Sequence, residues 1–136
     1  MSAASTALQR ALFQALSHDG ELLTALGSAK IYDRVPERVS APYIVLGRST
    51  VSDWSTSTED GETIVFFVHV WSRANSRHEC NSLQDLVRRV LTDDVALTNP
   101  HELVALRFQL AETRRDHETD HVHAVMRFTA TIEPSG

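Results

Sequence analysis

Residues 62–73 read ETIVFFVHVWSR, and the way this stretch alternates decides the fold. Side chains on a strand point to opposite faces with a period of two. One face then carries Ile64, Phe66, Val68 and Val70, and the other Val65, Phe67, His69 and Trp71. A small antiparallel sheet usually keeps one face wet and alternates apolar with polar residues. This strand is apolar on both sides, so a second covering layer is required, and a chain of 136 residues has few helices to supply it.

The flanking sequence supplies the remaining elements. Leu8, Ala11, Leu12, Ala15 and Leu16 recur at helical spacing and predict a helix over 5–17. Asp19 is an N-cap and Gly27 a C-terminal glycine for a short helix over 20–26. A short strand is expected over 30–33, and Pro36 and Pro42 bracket a connection that is neither helix nor central strand. Residues 43–51 form the next strand, and the polar loop 52–61 turns the chain at Asp60-Gly61 into the strand 62–72. Together they make a long hairpin. Ser76 and Glu79 fit a capping box ahead of a second long helix, whose buried stripe is Cys80, Leu83, Val87, Val90 and Leu91. Strands over 103–113 and 120–133 close the chain. In the last, Val122, Ala124, Met126, Phe128, Ala130 and Ile132 share one face, while His121, His123, Val125, Arg127, Thr129 and Thr131 share a face that reads as wet. The expected fold is one α+β domain over 1–136, in the order α-α-β-β-β-α-β-β. It is an antiparallel sheet with an N-terminal helix and a second helix packed mainly on one face.

Composition narrows the function. The chain is 42% apolar and 23% charged, ordinary for a globular domain. Its longest apolar run, Ile64–Val68, is far below the roughly 20 residues of a membrane helix, so no membrane partner is expected. The N-terminus lacks a basic start followed by a continuous apolar core and does not read as a signal peptide. Cys80 is the one cysteine, which excludes an intrachain disulfide. A net charge of −5 argues against a dedicated nucleic-acid binder.

Catalytic signatures are missing as well. Cys80 lies in an apolar stripe, where a free cysteine behaves as a small hydrophobe. No phosphate loop, dinucleotide fingerprint or nucleophile elbow occurs, and no cofactor is expected. His117, His121 and His123 lie together with acidic neighbours and provide one alternative, a small metal-dependent hydrolase or sensor. The competing expectation is solvated histidines at the turn of the final hairpin. The aromatic residues point elsewhere. Tyr43, Trp54, Phe66, Phe67 and Trp71 lie on or beside the hairpin. Trp54 sits in a Ser/Thr/Asp loop, where it either contacts a partner or folds back on its own hairpin. The residues expected to meet another subunit or partner are Tyr43, Arg48, Asp53, Trp54, Val65, Phe67, His69, Trp71 and Arg73.

The ordered set Tyr32, Asp33, Val35, Pro36; Pro42, Tyr43, Gly47; Asp53, Trp54; and Val70, Trp71, Ser72, Arg73 resembles the tail terminator (tail-completion) proteins of long-tailed phages and gene transfer agents. Leu106, Arg107 and Phe108, then Met126–Phe128 and Glu133-Pro134, continue the likeness over about residues 8–134. The spacer 37–41 departs from the proline-rich form of that family. The resemblance implies a structural protein of the virion or gene-transfer-agent particle, assembled in the bacterial cytoplasm. It implies a homo-oligomeric, hexameric ring that caps the head-proximal end of the tail tube, ends tube polymerisation and joins tail to head. The implied partners are the major tail tube protein and a head-side connector or stopper, with DNA passing through the channel without specific binding. Within the same class, a head-side stopper or minor tail protein is the alternative.

Overall fold

The computed structural model describes residues 3–56 and 60–135. Residues 57–59 of the expected hairpin loop, and the chain ends at residues 1–2 and 136, lie outside them. The described residues are mixed α+β, with three helices and five strands. In order these are α1 (Ala3–Ser17), α2 (Gly20–Leu26), β1 (Ile31–Tyr32), β2 (Tyr43–Asp53), β3 (Glu62–Ala74), α3 (Arg77–Asp93), β4 (His101–Arg115) and β5 (His121–Pro134).

The strands form one sheet in the spatial order β1-β2-β3-β5-β4. The last strand therefore lies between β3 and β4, a placement that periodicity does not encode. β2, β3, β5 and β4 pair antiparallel, but β1 runs parallel to β2 through Ile31–Ile44 and Tyr32–Val45. The expectation of a wholly antiparallel sheet is corrected at this edge. The connection 33–42 carries the chain back to the starting end of the sheet before β2 begins, which is what a parallel neighbour requires.

All three helices lie over one face. α3 touches β3, β4 and β5, while α1 touches α3 and β1. Leu8, Leu12 and Leu16 of α1, Leu22 and Leu26 of α2, and Cys80, Leu83, Val87, Val90 and Leu91 of α3 are buried. They meet Ile64, Phe66, Val68 and Val70 of β3 and the six apolar residues of β5 from Val122 to Ile132. Phe128 lies at the centre, with its ring stacked 5.3 Å from Phe66 and edge-on 5.5 Å from Phe108.

The caps hold the helices in register with the sheet. The Asp19 carboxylate accepts from Leu22 N at 3.0 Å and pairs with Arg89 of α3 at 2.9 Å, tying α2 to α3. Gly27 closes α2 with φ of +87°, a conformation that costs glycine little. The capping box expected at α3 is not made. Ser76 occupies the N-cap position without a side-chain bond. Glu79 turns away from it: one carboxylate oxygen accepts from Arg73 N at 3.0 Å and the other from the Arg73 guanidinium, Nε at 2.9 Å. The backbone at the end of β3 thus competes successfully for a carboxylate that local sequence assigns to the helix.

Glu79 is accordingly a fastener between β3 and α3. Burial pushes its pKa up, but the hydrogen bonds and charge of Arg73 outweigh that and leave it below the usual glutamate value. Glu79→Ala removes this charged clasp between β3 and α3 and is expected to cost about 1–2 kcal/mol of unfolding free energy in denaturant titrations. Glu79→Asp, with a shorter reach, should recover only part of it.

Candidate functional site

The helices leave the opposite face of the sheet uncovered by any element among the described residues. Cross-strand partners share a face, so the register places Tyr43 beside Trp71, Val45 beside His69, Phe67 beside Arg127 and His69 beside Val125. Trp71 pairs in turn with His123, and His123 with Arg114. Val65, Phe67, His69 and Trp71 are all half-buried, screened by neighbouring side chains and not by a second layer. The doubly apolar character of residues 62–73 therefore corresponds to one face in the core and one face open.

A ladder of stacked rings runs across that open face. Tyr43 and Trp71 stack at 6.2 Å, Trp71 and His123 at 3.9 Å, and His123 and His69 at 5.1 Å. His69 Nδ1 lies 2.9 Å from His123 Nε2, so one ring donates an N–H to the lone pair of the other. Gly47 makes room for this arrangement, since a Cβ there would approach His69 Nε2 to 2.7 Å. Arg48 lies in the irregularity of β2 between Leu46 and Ser49, and its guanidinium sits 4.7 Å above the Phe67 ring.

The histidine pair is a neutral-form device. Desolvation lowers the pKa of both rings, and for His123 the charges of His69 and Arg114 add to it, bringing the value down to about 4. The unfolded chain therefore binds more protons than the native one between pH 6.5 and about 4. Stability from this pair is complete above pH 6.5 and is lost as pH falls toward about 4. Thermal melts across that range should show the acid-side loss shrinking in His123→Phe, while the two chains converge above neutrality.

The nine expected contact residues separate into three groups. Tyr43, Arg48, Val65, Phe67, His69 and Trp71 come together on the open face. Asp53 and Trp54 lie at the far end of the hairpin, where Trp54 N donates to Gly61 O at 2.8 Å and Asp53 accepts from Ser55 N at 3.0 Å. The Trp54 side chain lies over Gly61, where any added Cβ would overlap its ring, yet the residue remains 45% exposed. It both folds back and presents an indole to solvent. Arg73 is held by Glu79 at the edge of α3 and does not join the open face.

Sequence reasoning missed Val45, His123, Val125 and Arg127, which complete the same face. The alternation of the three β5 residues reads as wet, and only the β3–β5 register shows that apolar and aromatic partners from β3 lie beside them; the β2–β3 register adds Val45. The grouping of His117, His121 and His123 as metal ligands is not assembled. His123 is engaged with His69 and Trp71, and no group of three ligating side chains is gathered among the described residues. Cys80 is fully buried, and burial pushes its thiol pKa up, so it stays protonated at neutral pH.

The chain resembles known proteins over nearly its whole length. The structure is similar to a chain of the virion of a native gene transfer agent particle, with a TM-score of 0.87 and 29% identity, covering 98% of this chain and 99% of that one. The bacteriophage SPP1 gp17 protein shares the fold at a TM-score of 0.70 and 22% identity, over 99% of this chain and 95% of that one. No curated protein matches the sequence. The family model for tail completion protein gp17 matches residues 10–133, from within α1 to the end of β5, and the chain belongs to that family.

Proposed function

We propose that the chain is a structural tail protein that assembles as a homo-oligomeric, hexameric ring on the head-proximal end of a tail tube. The ring ends tube polymerisation and joins the tail to a head-side connector, and DNA passes through its channel without specific binding. Its place is the phage or gene-transfer-agent particle, after assembly in the bacterial cytoplasm. The observation that carries this function is the open, aromatic sheet face in a chain of the tail completion family. A face of half-buried Phe67, His69 and Trp71 is costly to leave against water and gains from a partner surface. Similarity to a chain of a gene transfer agent virion over nearly the whole length supports the particle location. Catalysis has no part in the proposal, because the open face presents stacked rings and guanidiniums and no nucleophile with a base.

The hairpin tip is the second contact. Trp54 and Phe13 are the two large exposed aromatics among the described residues, and Trp54 is the one at the hairpin tip; aromatic anchors dominate interface energies. Trp54→Ala is expected to weaken self-association or tube binding about tenfold or more, with the melting temperature little changed. Light scattering and co-sedimentation with purified tail tubes measure the two. Unchanged association together with intact tube binding contradicts a role for Trp54.

A further inference from the structure

The open face is not only aromatic. Arg48, Arg107, Arg114 and Arg127 all lie on it, placed by the contact of Arg48 with Phe67 and by the pairings Arg107–Thr129, Arg114–His123 and Phe67–Arg127. Across the rows from His123 to Thr129, Glu112 is the one carboxylate among the described residues. Arg127 sits mid-face, and its Nε is buried without a hydrogen-bond partner. Thr129 Oγ1, two residues along the same face, is buried and unpartnered too. A guanidinium N–H without an acceptor is costly, and the ion pairs among the described residues engage none of Arg48, Arg107, Arg114 and Arg127.

The chain carries −5 overall, so the carboxylates that balance these arginines lie elsewhere on it. One end of the sheet gathers Asp53, Asp60, Glu62 and Glu133 around a cleft of about 370 Å³. From Arg127 to Glu133 along β5 is about 20 Å, too far for one copy to satisfy itself. We infer that copies of this chain associate head to tail, with the carboxylate-lined sheet end of one copy seated on the arginine-bearing open face of the next. The contact, which rests on the ring assembly proposed above, joins two different patches. It is therefore heterologous and can repeat by rotation until it closes. Guanidinium–carboxylate pairs set its register and the Tyr43–Trp71–His123 ladder supplies its apolar centre.

A charge-swap series on the full chain tests this. Arg107 and Arg114 are exposed on β4, so Arg107→Glu with Arg114→Glu leaves the core untouched; Arg48→Glu is an independent second variant. The complementary set is Asp60→Lys with Glu133→Lys. Mass by light scattering and electron microscopy of rings on purified tail tubes are read for each, with melting curves confirming the fold. Each set alone is expected to weaken ring formation about tenfold or more, and both sets combined in one chain should restore it, because every contact then pairs the swapped charges. Rings that form as well as wild type in either single set, or a combined variant that does not recover, overturn the contact. So does an arginine variant that keeps its self-association but loses tube binding, or loses binding to a short DNA duplex, since the face then serves the tube or nucleic acid. A wild-type chain that makes no ring alone or on tubes overturns the ring assembly itself, and this contact with it.

Discussion

Replacing Phe128 with alanine is expected to lower the unfolding free energy by about 3–5 kcal/mol and the melting temperature by roughly 10–15 °C. The ring is fully buried at the centre of the sheet, between Phe66 and Phe108. Truncation removes its transfer free energy and leaves a cavity that β3, β5 and β4 cannot close, because their ladders fix the strand spacing. That loss is a large part of the total stability of an ordinary domain, about 5–15 kcal/mol. Phe128→Leu keeps most of the volume and should cost less than half as much. Denaturant titration of the two variants separates cavity formation from loss of the aromatic stack: equal losses would mean that the stack, and not the volume, carries the effect.

Trp71→Ala should behave in the opposite way, with a modest effect on the fold and a large one on assembly. Its indole lies on the open face, stacked 3.9 Å from His123 and 6.2 Å from Tyr43, and touches none of the helices' buried stripe. Aromatic cross-strand pairs contribute about 0.5–1.5 kcal/mol to a sheet, which sets the scale of the stability loss. As the centre of a subunit contact, the same side chain is worth about 2 kcal/mol or more, or roughly 30-fold in association. Sedimentation over a concentration series and a thermal melt, run on the same preparation, distinguish the two. A chain that melts far below wild type yet associates normally would place Trp71 in the fold alone.

How much of this was legible depended on whether the information was local. The stripes of α1 and α3, the Asp19 and Gly27 caps and the two apolar faces of residues 62–73 are visible because side-chain period alone reveals them. β1 is only two residues long, and its parallel pairing is set by where the 33–42 connection returns, which no local pattern records. β4 hides its faces for a related reason. Its ladder slips between Leu103 and Ala105 and again between Phe108 and Leu110, so each extra residue inverts the apparent alternation beyond it. This leaves Val104 and Leu110 exposed, although a strict period of two would treat them alike with the partly buried Leu106 and Phe108.

The site was legible in half. Tyr43, Phe67, His69 and Trp71 emerge from the hairpin's own alternation, but the His69–His123 bond and the Trp71–His123 stack depend on the β3–β5 register. That register joins residues far apart in the chain, such as His69 and His123 at a separation of 54. The capping box failed differently. Ser76 and Glu79 have the right spacing, but the Arg73 amide at the end of β3 takes the carboxylate in the folded chain.

The most direct measurement is electron microscopy of purified tail tubes mixed with the chain. A ring of copies seated on one end of each tube, with the tubes growing no further when more tube protein is added, is the predicted result. Tubes with bare ends that continue to lengthen in excess chain would contradict it.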